Sequence, residues 1–295
     1  MKLKPWQLIG IPCGIIAFVF FGLAFAANDG SWAKFGILPF LILAVAYIMS
    51  PQINWWWYKR NPPPLDIKLQ RLLDDYFLFY KKLNPELKKR FRDRTALYLL
   101  GNDFIRPVHP EDPDATANRK LVPEDIKAAV AAMSAQLSFG KDDFLTGKFE
   151  NIIIYPHPFP TPQYGDTFHT SEIYEPDGVI LFSSDILMAG FNNPQGYFSI
   201  GLYEFAKIFK IMYPSVSYPI LDENIWSDFE KISAKSRTLI ESTVGLSQLD
   251  TWGVAVYHFF TFPEKFQKVL PDLYQLLSNI FNQNPANETH PVLSY

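Results

Sequence analysis

The sequence has one cysteine among its 295 residues, Cys13, and this cysteine lies inside an apolar stretch. The rest of the chain has no pair of thiols that could form a disulfide, so it gives no sign of an oxidising compartment. An excess of basic residues is also absent, since 27 lysines and arginines stand against 30 acidic residues. Because no basic stripe offsets this balance, we expect no nucleic-acid partner.

Charged residues are missing from two long stretches near the amino terminus. Leu8 to Ala27 contains no charge, and its length is that of a helix crossing a bilayer core of ~30 Å. A second uncharged run extends from Phe35 to Tyr58 and closes with three tryptophans and a tyrosine, which favour the lipid headgroup region. The sequence predicts two antiparallel transmembrane helices, 8–27 and about 35–55, as a membrane anchor over residues 1–60.

A cleaved signal peptide is the alternative for the first run, because Lys2 and Lys4 precede it and small residues end it. The length of the run and the second apolar run directly after it favour the hairpin. Basic residues also flank its outer ends, with Lys59 and Arg60 after the second run. Since positive residues concentrate on the cytoplasmic side, we expect both ends of the hairpin to be cytoplasmic.

A proline-rich spacer, residues 61–65, separates the anchor from a soluble domain predicted over residues 66–295. Consecutive prolines favour polyproline II and cannot continue a helix. Apolar periodicity and capping residues predict helices over 66–83, 84–100, 123–137, 196–213, 224–242, 250–262 and 271–282. Strand signals occur at 104–108, 151–155, 170–174 and 179–182, the last two joined by the turn residues Glu175-Pro176-Asp177-Gly178. The predicted class is α+β.

An incomplete zinc-peptidase pattern lies in GLYEFAKIF, residues 201–209. Zinc peptidases of the HExxH type place two histidines one helical turn apart, with a glutamate beside the first as general base. Glu204 matches that base, but Tyr203 and Lys207 stand where the histidines would be. Because phenol and ammonium groups must lose a proton before they can ligate a metal near neutral pH, the pattern predicts that zinc is not bound.

Five stretches carry a resemblance to a known family over roughly residues 80–285. They are, in order, NPELKKRFRDRTALYLL, NIIIYPHPF, DGVILFSSDIL, GYFSIGLYEFAKIF and DTWGVAVYHFFTFPEKFQKVLPDLYQLLSNIFNQNP. The soluble part resembles the Mlc titration factor A family of zincin-type metallopeptidases. The resemblance implies a zincin-like domain in which Glu204 is the general base, Tyr203 and Lys207 occupy the histidine-ligand positions, and Asp250 occupies the distal glutamate-ligand position.

The resemblance implies a zinc cofactor, but the residues at the ligand positions predict its loss. One carboxylate, that of Asp250, cannot hold a catalytic zinc ion alone. The histidines elsewhere are poorly placed as substitutes: His157 lies in a proline-rich loop, His169 has no partner at a ligand spacing, and His258 is eight residues beyond Asp250. We expect Lys207 to replace the charge of the metal between Glu204 and Asp250.

These observations favour a membrane-anchored, catalytically inactive pseudopeptidase that binds a peptide or protein, in a bacterial inner membrane with its soluble domain facing the cytoplasm. In zincin folds an extended substrate lies along an edge strand above the metal helix, and its backbone hydrogen bonds require no metal. We expect Val179, Ile180, Leu181, Phe182 and Ser183 to form that edge strand. An active zinc peptidase with atypical ligands and a structural subunit of a membrane complex are the alternatives.

Overall fold

The computed structural model describes residues 4–107 and 121–287. The chain divides into two compact units, Met1–Pro63 and Pro64–Tyr295. This division falls within the predicted proline-rich spacer.

The described residues of the first unit form three helices: α1 Gln7–Ala26, α2 Ala33–Ile48 and α3 Ser50–Arg60. The ring of Trp6 meets that of Tyr47 at 5.8 Å and the ring of Phe20 meets that of Phe35 at 5.7 Å, so α1 and α2 run antiparallel. A Cβ at Gly36 would lie 3.3 Å from the Ala17 carbonyl oxygen, and this close approach is one that small residues permit. By length and composition, α1 could cross a membrane.

The predicted second span, about 35–55, is wrong as a single helix. α2 ends at Ile48, and α3 departs from it at an angle of 69°. Pro51 lies in the first turn of α3. A proline at this position lacks the backbone N–H group that a continuous helix would need, and it disfavours a helical backbone in the residue before it. Alone, α2 is about 24 Å long, which is shorter than a bilayer core. Only together, as a bent pair, do α2 and α3 reach the length and hydropathy of a membrane span.

The second unit is a mixed α and β domain, as predicted. Its elements are α4 Ile67–Tyr76, α5 Leu78–Lys82, α6 Pro85–Gly101, β1 Asp103–Ile105, α7 Glu124–Leu137, β2 Asn151–Tyr155, β3 Ser171–Tyr174, β4 Val179–Ser183, α8 Ser184–Asn192, α9 Ile200–Met212, α10 Ile225–Ser233, α11 Arg237–Val244, α12 Thr251–Thr261, α13 Pro263–Val269 and α14 Pro271–Phe281. The sheet order is β1-β2-β4-β3, with β2 parallel to β1 and β4, and β3 antiparallel to β4. The first strand was predicted over 104–108, and the observed strand β1 is shorter, Asp103–Ile105. Val108 lies outside the described residues.

Two predicted helices are each broken into two. The helix expected over 66–83 stops at Phe77, whose extended backbone lets its ring stack on Phe191 at 5.1 Å. The helix expected over 224–242 stops at Ala234, which adopts a left-handed conformation, and Ser236 then caps α11 by accepting a hydrogen bond from the Leu239 amide. In both places tertiary packing and local capping override the apolar period.

Helix α9 is central to the second unit. The alanines of α7 are fully buried, and a Cβ at Gly201 of α9 would lie 2.5 Å from the Met133 side chain of α7. On the α12 side, a Cβ at Gly253 would lie 2.6 Å from the Tyr203 ring. These small residues let α9 pack closely against both helices, which holds Glu204 at the centre of the domain.

Candidate functional site

Glu204 is completely buried, on the face of α9 that packs against β3. Its Oε1 atom accepts a hydrogen bond of 2.8 Å from Ser171 Oγ, and its Oε2 atom lies 2.6 Å from Lys207 Nζ. Oε2 has no well-directed hydrogen bond within the described residues, so its contact with Lys207 is an ion pair. The expected pairing of Lys207 with Glu204 is confirmed.

Lys207 remains partly open to solvent, with 24% of its side chain exposed. Its Nζ atom lies 4.9 Å from the centroid of the Tyr203 ring. Burial acts to lower the pKa of Lys207, but the attraction of Glu204, with smaller contributions from Tyr203 and Tyr164, outweighs burial and raises this pKa above its usual value. The cationic form of Lys207 is therefore favoured in the folded protein.

The structure brings Tyr203 and Asp250 together, but the contact is made by the backbone amide of Asp250 and not by its carboxylate. The Tyr203 hydroxyl accepts a hydrogen bond of 3.0 Å from the Asp250 amide, and burial raises the pKa of this phenol well above its usual value. The Asp250 carboxylate caps α12 by accepting hydrogen bonds from the amides of Trp252 and Gly253.

Lys207 was predicted to pair with the carboxylates of both Glu204 and Asp250. The pairing with Asp250 is wrong. No ion pair joins Lys207 to Asp250 among the described residues, because the Asp250 side chain is engaged at the start of its own helix. Lys207 neutralises Glu204 alone.

A second buried polar cluster adjoins this site and was missed by sequence reasoning. His169 Nε2 lies 2.9 Å from Glu172 Oε2, and the same oxygen accepts a hydrogen bond of 2.6 Å from Thr161 Oγ1. The other ring nitrogen of His169 contacts the Thr167 carbonyl at 3.0 Å. The spacing of His169 and Glu172, three residues apart, is the one signal in the sequence that could have indicated this pair.

The expectation that Val179–Ser183 is an edge strand is wrong. This strand, β4, lies between β2 and β3 and is paired on both sides. The first strand of the hairpin, rather than the second, takes the outer position, so β4 has no free backbone groups to offer a peptide.

The edge of the sheet on this side is β3. One end of its outer side is covered, because His169, two residues before β3, exchanges two backbone hydrogen bonds, of 3.0 and 3.1 Å, with Phe159 from the loop after β2. Backbone direction alternates along a strand, so Ser171 and Ile173 face the same side as His169. In the described part of the chain no segment pairs with these two residues on that side.

The side chains at the zinc positions do not fit the metal that the family resemblance implies. An ammonium group lies 2.6 Å from the carboxylate of the base, where it would repel a divalent cation. Within the described ranges there is also no group of three or more histidine, cysteine or acidic side chains that could hold a metal ion.

Comparison with known proteins adds a distant relative. No family model matches the chain. An uncharacterized protein of Synechocystis sp. is 23% identical over 156 residues, which are 52% of this chain and 50% of the relative. The chain thus spans about half the length of this relative, and the similarity points to no activity.

Proposed function

We propose that this protein is a membrane-anchored, catalytically inactive relative of the Mlc titration factor A peptidases, which binds a peptide or protein without cleaving it. The observation that carries the proposal is the buried ion pair of Glu204 with Lys207. A general base must accept a proton from an attacking water, and a zinc peptidase also needs the metal to activate that water. Glu204 is closed off from solvent and paired with a cation, which supports the loss of both functions.

The first unit supports the membrane anchor. The apolar length of α1, its antiparallel packing on α2 and the tryptophans of α3 suit a hairpin whose bent end lies at the headgroup region. Basic residues at both outer ends of the hairpin suit an orientation with the second unit in the cytoplasm of a bacterium.

The edge strand β3 supports the binding role. A peptide that adds a strand to a sheet binds through backbone groups, with pockets for alternate side chains. Ile173, which is partly exposed, offers such groups on its outer side, whereas Ser171 is buried and donates to the carboxylate of Glu204. We therefore place the bound segment along β3, beside the loop that carries Phe159.

Site-specific photocrosslinking in native membranes tests this role. A benzophenone amino acid at Tyr174, an exposed residue of β3, should give a discrete protein adduct, and Ile173→Pro should remove it because proline lacks the backbone N–H group. The same probe at exposed Tyr197, outside β3, is the control. No adduct at Tyr174, or one that Ile173→Pro leaves unchanged, would favour a purely structural subunit instead.

A further inference from the structure

Positive charge is concentrated at one end of the first unit, where α3 meets the start of α1. Lys59 and Arg60 lie in the last turn of α3, and both are exposed. Lys4, also exposed, is brought to the same place, because the Trp6 amide donates a hydrogen bond of 3.1 Å to Asn54 Oδ1 of α3. We call this place, formed by α3 and residues 4–6, the α3 end.

No carboxylate of the first unit offsets the charge of the α3 end. Asp29 is the only acidic residue in the sequence of the first unit, and it lies in the turn between α1 and α2, where it accepts hydrogen bonds from the amide and hydroxyl of Ser31. Because α1 and α2 are antiparallel, that turn is at the opposite end of the hairpin from α3. Lys34 follows the same turn, so the charges at that end cancel, whereas those of the α3 end attract an anion.

Two tryptophan rings hold the cations of α3. The Arg60 guanidinium lies 3.9 Å from the centroid of the Trp56 ring, and Lys59 Nζ lies 5.5 Å from that of Trp55. Stacking occupies the face of a guanidinium and leaves its N–H groups free, in the fork that matches a phosphate. Trp56 and its neighbour Trp57 are themselves exposed, and such amphipathic rings favour the lipid headgroup region.

The direction of α3 also suits the headgroup region. α3 departs from α2 at 69°, and helices that span a bilayer are tilted by only about 20° on average. With α2 in the bilayer, α3 therefore lies nearer to the plane of the membrane than to its normal. Its polar residues Gln52 and Asn54 would be costly in hydrocarbon, which favours the same position.

We propose that the α3 end binds the phosphate of an anionic phospholipid, with Arg60 and Lys59 as the donors and Lys4 as a further cation. A phosphatidylcholine headgroup offers the same phosphate, but its own quaternary ammonium offsets the charge. The α3 end should therefore prefer phosphatidylglycerol to phosphatidylcholine. This inference rests on the membrane anchor of the proposed function and is independent of the peptide-binding role.

Quenching of tryptophan fluorescence by brominated lipids measures this preference. The full chain carrying Trp32→Phe is placed in phosphatidylcholine nanodiscs, so that the remaining tryptophans of the first unit all belong to the α3 end. Trp226 and Trp252 are buried in the second unit and give a constant background. Increasing fractions of brominated phosphatidylglycerol or brominated phosphatidylcholine then give the relative affinity. We expect a preference of about fivefold or more for phosphatidylglycerol, the effect of one or more basic residues near an anionic surface.

Lys59→Gln/Arg60→Gln should bring this preference close to one, while quenching by brominated phosphatidylcholine stays as in the parent. Lys34→Gln is the matched control, because its ammonium also lies over an aromatic ring, that of Phe35 at 5.5 Å, but at the opposite end of the hairpin. It should leave the preference unchanged.

Equal quenching by the two brominated lipids in the parent, or a preference that survives Lys59→Gln/Arg60→Gln, would overturn the proposal. An equal loss in Lys34→Gln would also overturn it, because the effect would then be one of net charge and not of the α3 end. Quenching by neither lipid would overturn the membrane anchor together with this proposal, so the two failures are distinguishable.

Discussion

At the scale of single residues, Lys207 determines what Glu204 can do. The lysine is three residues after the glutamate on α9, a spacing that places two side chains on one helix face, and their charged atoms are 2.6 Å apart. An exposed pair at this spacing contributes under ~1 kcal/mol. Glu204, however, is fully buried, so loss of its partner would leave a carboxylate without compensation in the core.

Lys207→Met should therefore lower the free energy of unfolding by ~3–5 kcal/mol, the usual effect of removing one partner from a buried ion pair. Lys210→Met, an exposed position on the same helix, is the matched control and should change stability little. Chemical denaturation of both variants measures the difference. Equal stability of Lys207→Met and the parent would show that the pair is energetically a surface contact.

The double variant Glu204→Gln/Lys207→Met gives a second readout of the same pair. It removes both charges, and it should recover part of the stability that Lys207→Met alone loses, because no unpaired carboxylate remains.

His258 is a buried residue whose ionisation opposes folding. Its ring stacks on Phe229 at 4.6 Å, and its Nδ1 atom contacts the Val254 carbonyl at 2.8 Å. Burial lowers the pKa of His258 from 6.5 to about 4. As pH falls below 6.5, the unfolded chain gains a proton that the folded protein does not bind, so stability decreases between pH 6.5 and about 4.

We expect the contribution of His258 to the free energy of unfolding to fall by about 2 kcal/mol between pH 7 and pH 5, from ~1.4 kcal/mol per unit of pH below 6.5. Between pH 7 and pH 5 the free energy of unfolding of His258→Gln should therefore decrease by about 2 kcal/mol less than that of the parent, whatever the stability of the variant at pH 7. Denaturation of both proteins at the two pH values provides the comparison. A pH dependence identical in the two proteins would contradict the assignment.

At the scale of secondary-structure elements, the β3–β4 hairpin fixes the edge of the sheet and brings Ser171 to Glu204. Its turn depends on Gly178, whose φ is +62°, and a Cβ there would lie 2.1 Å from the Lys148 carbonyl oxygen. Only glycine avoids both the left-handed strain and this clash.

Gly178→Ala should lower the free energy of unfolding by more than ~2 kcal/mol, the sum of backbone strain and a main-chain clash. Gly165→Ala separates the two effects, because Gly165 has a φ of +60° but no heavy atom within 4 Å of the position that an added Cβ would take. Thermal unfolding should rank Gly178→Ala well below Gly165→Ala. The reverse order, or equal effects, would mean that the turn tolerates a side chain.

Local signals in the sequence predicted several elements well. Asn84 caps α6, as expected from Asn-Pro, by accepting a hydrogen bond of 2.9 Å from the Leu87 amide, and the hairpin forms around Asp177-Gly178. The breaks at Phe77 and Ala234 were not predicted: Phe77 packs on Phe191, which is distant in the sequence, and Ala234 adopts a left-handed conformation before the Ser236 cap. Apolar periodicity carries no information on such contacts.

The candidate site shows the same division. The pairing of Glu204 with Lys207 follows from helical spacing and could be predicted. The hydrogen bond from Ser171 joins residues 33 positions apart, and the order of the strands decides which one is at the edge. Neither feature has a local signature in the sequence. This is why the edge strand was predicted to be β4, when it is β3.

At the scale of the whole molecule, two units with different chemistry share one chain. Residues 1–60 hold five basic residues and one acidic residue, whereas the remainder has a net charge of −7. The first unit contains an apolar helix of membrane-spanning length, and the second unit has its own hydrophobic core. Such a division suits an anchor and a domain that is stable by itself.

The full chain should stay in the membrane pellet after extraction with alkaline carbonate, whereas residues 64–295 expressed alone should be recovered in the supernatant in folded form. The full chain should remain in the membrane because α1 and α2 expose a large apolar surface, which is unfavourable in water and is buried in the lipid core. Release of the full chain by carbonate would contradict membrane insertion. Cleavage of the second unit by protease added outside intact cells would contradict the cytoplasmic orientation.

The central claim, that an ion pair has replaced the zinc site, is tested most directly by the zinc content of the purified full chain. Elemental analysis after dialysis against a weak chelator should find far less than one equivalent of zinc per chain, because Lys207 excludes a divalent cation from Glu204. About one equivalent of retained zinc, lost when Glu204→Gln and Asp250→Asn are introduced, would contradict the account and restore an active metallopeptidase as the better interpretation.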